Sequence, residues 1–146
     1  MPTDPFNLER FIEAQRASYD VALAELGSGR KRTHWIWFIF PQLKGLGVSS
    51  TSERYGLSGL EEARAYLAHP ILGPRLREAV SVILEHSSAS AGSILGELDA
   101  LKLRSCLTLF ALADPAEQIF EAALERFFDG QRDGRTLDLL GEPGRA

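Results

Sequence analysis

Apolar residues recur at three- and four-residue intervals along most of this 146-residue chain, a spacing that is typical of amphipathic helices. The first such pattern, at 7–29, places Phe11, Tyr19 and Leu26 on one helical face. Its end residues Asn7 and Gly27 fit an N-cap and a helix stop. Further helical patterns follow at 58–69, 74–86, 93–113, 114–130 and 135–140.

Capping residues predict where some of these helices begin and end, and apolar content predicts which of them is central. Ser58 and Glu61 form a capping-box pattern at the start of the second one. Asp114 and Pro115 fit the N-cap and first helical position of the helix that Gly130 stops. The pattern at 93–113 is apolar on more than one face, which predicts that this helix is central.

Six large apolar residues in a row, WIWFIF at 35–40, precede Pro41. Their composition favours a strand, but no convincing partner strand exists elsewhere in the sequence. We therefore predict a short, buried helical segment that Pro41 ends. The resulting fold prediction is all-α: a single-domain bundle of about five to seven helices over 1–146, with a buried aromatic segment at 34–40, a core of about 4–140 and a frayed tail at 141–146.

Composition excludes some classes of function. The net charge of −4 and the pI near 5.4 argue against non-specific nucleic-acid binding, although a local basic cluster could hold a phosphate. The single cysteine, Cys106, permits no intramolecular disulfide and is expected to be a small buried residue in a reducing compartment. No signal-peptide pattern or apolar run of about 18 residues is evident, so we expect a soluble, cytoplasmic protein with no membrane partner.

Several common functional motifs are missing from the sequence. There is no P-loop, and Gly45 and Gly47 lack the third glycine and the β-α-β context of a dinucleotide loop. The three histidines, His34, His69 and His86, have no second ligand at metal-binding spacing. The sequence therefore predicts neither a metal site nor a cofactor.

The first candidate site surrounds the aromatic block. Lys31 and His34 precede or open it, Gln42 follows it, and Trp35 and Trp37 lie within it. Flat aromatic faces, cations and an amide suit a ligand that has a planar base and a phosphate. The alternative is structural: the tryptophans belong to the core, and the basic residues form a solvated turn.

The second candidate site is a polar stripe along the apolar helix at 93–113. Asp99, Lys102, Ser105 and Thr108 recur at three-residue steps and share roughly one helical face. This face could line a pocket with Lys102 and Ser105 as ligand contacts. Alternatively, Asp99 is an N-cap, Lys102 extends to solvent, and the hydroxyls bond backbone carbonyls.

These residues resemble the bacterial domain of unknown function 1810 family over Asp4 to about Leu140. The specific block is GRKRTHWIWFIFPQLKGLG, supported by LDALKLRSCLTLF and FFDGQRDGRTLDLL. Thr33 replaces an expected serine, and Cys106 replaces a small residue, which argues against a thiol mechanism. The matching positions are Lys31, His34, Trp35, Trp37, Phe40, Pro41, Gln42, Gly45, Gly47, Tyr55, His69, Pro70, Gly73, Asp99, Lys102, Ser105, Thr108 and Phe110.

This resemblance implies a small, mostly helical domain and brings no established activity. The label "calpastatin" that some members carry finds no support in these residues. The chain also has a looser likeness to NADAR-type domains, which act on ADP-ribose-linked compounds. We therefore expect a pocket that binds, and could hydrolyse, a nucleotide-like or ADP-ribose-type anionic ligand. The alternative is a non-catalytic protein-interaction module that uses the same aromatic and basic surface, and spacing singles out no catalytic carboxylate.

Overall fold

The computed structural model describes residues 4–141, so the predicted tail lies outside the described residues except for Gly141. The described part is all-α, as predicted, but its nine helices exceed the expected five to seven. The helices are α1 Glu9–Ser28, α2 Ile36–Ile39, α3 Ser50–Tyr55, α4 Leu60–Ala68, α5 Leu72–Leu84, α6 Ala91–Leu95, α7 Glu97–Ala113, α8 Gln118–Phe128 and α9 Gly134–Leu140.

The two additional helices are α3 and α6, which are both short. Ser49 caps α3 by accepting a hydrogen bond from the Ser52 backbone N–H at 3.1 Å, and Ser90 caps α6 in the same way. The helix predicted at 93–113 is interrupted at Gly96, whose φ of +89° is incompatible with a continuous right-handed helix. The interruption separates α6 from α7.

The ends of α1 also differ from the sequence expectation. Asn7 adopts a positive φ of +54° and does not cap the helix. The carboxylate of Asp4 takes that role, because it accepts hydrogen bonds from the backbone N–H groups of Leu8 at 2.7 Å and Glu9 at 3.0 Å. The helix ends at Ser28, and its C-cap Gly29 lies two residues beyond the predicted stop.

Two other predicted caps are displaced along the chain. Ser58 donates its backbone N–H and its hydroxyl to Glu62, at 2.8 and 2.9 Å, and not to Glu61. The helix expected to start at Asp114 begins as α8 at Gln118, because a turn precedes it. The capping residues therefore located these helices but missed their ends by one to three residues.

The central helix is α7, which packs against α2, α4, α6, α8 and α9, whereas α1 packs against α5 and α2. Cys106 and Phe110 of α7 are fully buried in the core. Burial raises the pKa of the Cys106 thiol well above its ordinary value, so this residue is the small apolar core residue that the sequence predicted. No helix in the described range 4–141 has the length and apolar content of a membrane span.

The aromatic block forms the single turn α2, which ends before Pro41, as predicted. Trp35 and Phe40 are buried, whereas Trp37 and Phe38 are only partly covered. The chain then runs in an extended conformation. It forms one isolated bridge to the loop after α3 through Lys44 N–H to Leu57 O, at 2.7 Å.

This bridge fixes the position of Gln42. The Leu57 backbone N–H donates to the Gln42 carbonyl at 2.9 Å, so both backbone polar groups of Leu57 and the carbonyl of Gln42 are paired. Held in this way, the Gln42 side chain is buried against α7. The aromatic block and the polar stripe of α7 thus meet at Gln42.

Candidate functional site

A pocket of about 470 Å³ opens between the loop at 46–49, the first half of α7 and the start of α9. Its volume falls in the range of small-molecule sites. Apolar side chains form much of its wall and a few polar groups converge on it. The lining residues are Trp37, Gln42, Leu46, Gly47, Val48, Ser49, Leu98, Leu101, Lys102, Ser105, Asp133 and Arg135.

The pocket brings together four of the seven residues that the sequence singled out. Trp37 and Gln42 come from the aromatic block, and Lys102 and Ser105 come from the polar stripe of α7. Residues of the two candidate sites, which are 60 or more positions apart in the sequence for these four residues, therefore line one pocket. The remaining three residues, Lys31, His34 and Trp35, do not line this pocket.

Those three residues lie in different environments. His34 is exposed to solvent. Trp35 is 1% exposed and belongs to the core, where its indole N–H donates to Glu25 Oε1 at 2.8 Å. Lys31 is buried behind the pocket. The sequence left open whether the two tryptophans were core or pocket residues, and the structure separates them: Trp35 is core and Trp37 faces the pocket.

The Gln42 amide is oriented by a buried hydrogen bond. The Ser105 hydroxyl donates to Gln42 Oε1 at 2.7 Å and lies 3.0 Å from the Lys102 carbonyl. This arrangement leaves Gln42 Nε2 without a hydrogen-bond partner among the described residues. Because Gln42 lines the pocket, this amide N–H is a donor that a ligand or water can satisfy.

Asp99 links the two lysines behind and beside the pocket. Its Oδ2 lies 2.9 Å from Lys31 Nζ, and its Oδ1 lies 3.0 Å from Lys102 Nζ. Each ammonium also lies over an indole ring, Lys31 at 5.0 Å from the Trp35 centroid and Lys102 at 4.5 Å from that of Trp37. The bridge therefore joins the core tryptophan to the pocket tryptophan.

The bridge keeps Asp99 ionised. Burial alone would raise the pKa of Asp99, but the hydrogen bonds and positive charges of Lys31 and Lys102 outweigh it and lower the pKa. Asp99 lies within the first turn of α7 and is not the N-cap, the position that Gly96 occupies. The structural alternative considered for Asp99 is thus incorrect, although the Thr108 hydroxyl does bond a backbone carbonyl, that of Arg104, at 2.8 Å.

Glu25 anchors the segment that leads into the aromatic block. Its carboxylate accepts hydrogen bonds from the backbone N–H groups of Arg32 and Thr33, the Thr33 hydroxyl and the Trp35 indole, at 2.8 to 3.1 Å. Burial would raise the pKa of Glu25, but these donors lower it to about 2. No pattern in the sequence indicated a role for Glu25, so this contact was not predicted.

Sequence reasoning missed eight of the twelve residues that line the pocket. Leu98 and Leu101 share the helical face of Lys102 and Ser105, because these four residues are spaced by three or four positions. That periodicity could have indicated them. Asp133 and Arg135 could not be found in this way, since only the packing of α9 on α7 brings them to the pocket.

A second cavity of about 330 Å³ adjoins the end of α7 and contains two arginines. Arg64 Nε donates to the Ala113 carbonyl at 3.0 Å, and Arg77 pairs with Glu117 at 2.5 Å. These contacts tie α4 to the end of α7 and α5 to the turn before α8, which is a structural role. Among residues 4–141 no group of three His, Cys, Asp or Glu side chains is placed to hold a metal ion.

Comparison with known proteins is consistent with this fold. A family profile described as "Protein of unknown function (DUF1810)" matches residues 5–140. The crystal structure of the conserved hypothetical protein Rv1873 from Mycobacterium tuberculosis is 50% identical and superposes with a TM-score of 0.93, covering 94% of this chain and 99% of that one. No curated protein matches the chain. The match over 5–140 confirms the resemblance noted in the sequence: this chain belongs to the DUF1810 family of proteins of unknown function.

Proposed function

We propose that this protein binds a nucleotide-like or other anionic small molecule in the pocket beside Trp37. The observation that carries the proposal is the convergence of Trp37, Gln42, Lys102 and Ser105 on a cavity of about 470 Å³. A concave site with apolar walls and a few converging polar groups is the usual form of a small-molecule site. The predicted contacts Lys31 and Trp35 do not touch the ligand in this proposal. Lys31 holds Asp99 in place, and Trp35 packs in the core.

Three groups support an anionic, partly planar ligand. The Gln42 Nε2 donor has no hydrogen-bond partner among the described residues. The side chain of Arg135, which is exposed at the pocket wall, makes neither a hydrogen bond nor an ion pair within residues 4–141. Trp37 is only partly covered, and its ring offers apolar area to a planar group.

Hydrolysis of an ADP-ribose-type ligand would require a carboxylate near the scissile bond. Asp133 is the carboxylate that lines the pocket. Its Oδ2 accepts hydrogen bonds from Thr136 N–H at 3.0 Å and the Thr136 hydroxyl at 2.6 Å, which leaves Oδ1 for another partner. If the protein is an enzyme, we propose Asp133 as the residue to substitute first.

The test is isothermal titration calorimetry of the purified chain with adenosine nucleotides, ADP-ribose, NAD and inorganic phosphate. We expect one-to-one binding by at least one planar compound. Trp37→Leu, Lys102→Met and Arg135→Ala should each weaken it roughly tenfold or more, the scale set by one lost charged or aromatic contact. Arg16→Ala removes an equal charge from the exposed face of α1 and serves as the control. Equal affinities in all variants would contradict the pocket assignment.

A second candidate function is the non-catalytic interaction module. It is favoured by the exposed apolar residues at the pocket rim, since Leu98 and Leu101 are 75% and 58% exposed. Exposed leucines that share one helical face are typical of a surface that a protein partner covers. The test is affinity capture with the wild-type chain and a Leu98→Asp/Leu101→Asp variant, followed by mass spectrometry. A partner retained equally by both proteins would exclude this surface as the interface.

A further inference from the structure

We infer that the ligand of this pocket is a planar compound carrying a single negative charge, such as a heterocycle with a phosphodiester or a sulfonate. This inference rests on the proposed function and specifies its ligand class. It comes from the balance of charges around the pocket, which differs from what a di- or triphosphate would need.

The charged side chains around the pocket leave one positive charge uncompensated. Lys102, Asp133 and Arg135 line the pocket, and Lys31 and Asp99 form the bridge directly behind Lys102. These five groups comprise three cations and two carboxylates, so their net charge is one positive. A ligand with one negative charge would neutralise the site, whereas each further charge would remain without a counter-ion.

The walls of the pocket penalise such additional charge. Leu46, Val48, Leu98 and Leu101 are aliphatic residues that line the same pocket as the Gln42 amide and the lysine. An anionic group held against these side chains loses part of its hydration without gaining a counter-ion, which is unfavourable. A planar, apolar body is favourable there, because it covers leucine side chains that are otherwise exposed to water.

The positions of the cations define how the ligand lies. Lys102 is engaged by Asp99 and lies 4.5 Å from the centroid of the Trp37 ring, so it occupies one face of that ring. A planar ligand therefore packs against the leucine side of the pocket and the exposed part of Trp37. Arg135 has no ionic partner among residues 4–141 and is the cation available to the ligand's anionic group.

The experiment varies ligand charge on a fixed ring. We would titrate the full chain with adenosine, cyclic AMP, AMP and ADP, which carry roughly zero, one, two and three negative charges near neutral pH. Cyclic AMP should bind at least about tenfold more tightly than ADP, because each extra phosphate charge is uncompensated. A parallel series of 1-naphthalenesulfonate and 1,5-naphthalenedisulfonate varies charge without a nucleoside, and the monosulfonate should bind more tightly.

A charge variant of the pocket makes the test specific. Asp133→Asn keeps a residue that can cap α9 but raises the net charge of the site by one. It should shift the preference towards AMP over cyclic AMP by about threefold or more. Asp129→Asn removes a carboxylate that does not line the pocket and should change nothing.

The outcomes separate this inference from the proposed function. Affinity that rises with each phosphate, in both wild-type and variant chains, would overturn the single-charge inference and leave nucleotide binding intact. Binding of the naphthalenesulfonate but of no nucleotide would support the single charge and contradict the nucleotide proposal. Failure of every compound to bind would overturn both.

Discussion

Lys31 Nζ lies 2.9 Å from Asp99 Oδ2, and the Lys31 side chain is only 7% exposed. The contact connects the segment after α1 to the first turn of α7, across 68 positions of sequence. Because Asp99 also binds Lys102, a buried lysine positions the lysine that lines the pocket. Lys31, one of the positions that match the family, thus contributes to the site through Asp99 and does not line the pocket itself.

Removing the shared carboxylate should destabilise the protein. Asp99→Ala leaves the buried Lys31 ammonium without its counter-ion, and we expect the free energy of unfolding to fall by about 3 kcal/mol. Urea unfolding followed by circular dichroism measures this change. Glu97→Gln removes an exposed carboxylate in the same turn of α7 and should cost less than about 0.5 kcal/mol. Similar losses of unfolding free energy in both variants would show that Asp99 stabilises the fold no more than an exposed carboxylate does.

Acid should destabilise the anchor formed by Glu25. The folded-state pKa of about 2 lies below the unfolded value of 4.5, so the unfolded chain binds a proton first as the pH falls. Glu25 therefore contributes stability that is complete above pH 4.5 and is lost between about pH 4.5 and 2. Glu25→Gln should show a flatter dependence of unfolding free energy on pH over this window. If the unfolding free energy of the wild-type chain and of Glu25→Gln changed equally with pH, the Glu25 carboxylate would not be the source of the acid sensitivity.

The two tryptophans should respond differently to a ligand. Trp37 lines the pocket, whereas Trp35 is buried and bonded to Glu25. In a fluorescence titration, Trp35→Phe should keep the ligand-dependent change in emission, and Trp37→Phe should abolish it. A change that survives in Trp37→Phe and disappears in Trp35→Phe would place the binding site elsewhere.

Two glycines should respond to alanine in opposite directions. A Cβ at Gly73 would lie 2.1 Å from the Leu67 carbonyl oxygen, so Gly73→Ala forces α4 and α5 apart and should cost about 2 kcal/mol or more. Gly27 is inside α1 and its added Cβ would meet nothing within 4 Å. Gly27→Ala should therefore stabilise the fold by about 0.5–1 kcal/mol, through the higher helix propensity of alanine. Thermal unfolding measures both effects.

Some features of this protein were readable in the sequence because they depend on local physics. The periodicity of apolar residues identified the long helices. The lack of a partner strand correctly indicated that WIWFIF forms a helical turn. The ends of helices were less predictable. At α1 the cap comes from Asp4, four positions before Leu8, and at α7 the start depends on the single glycine Gly96.

The helical class, the central position of α7, the family and four of the pocket residues could all be predicted from the amino-acid pattern. The core position of Trp35, the contact of Lys31 with Asp99, and the place of Asp133 and Arg135 in the pocket wall became visible only in the folded chain. The two groups of features differ in the range of the interactions that produce them. Periodicity and capping act within a few residues, whereas the pocket depends on packing between α9 and α7 and on charges that meet across the fold.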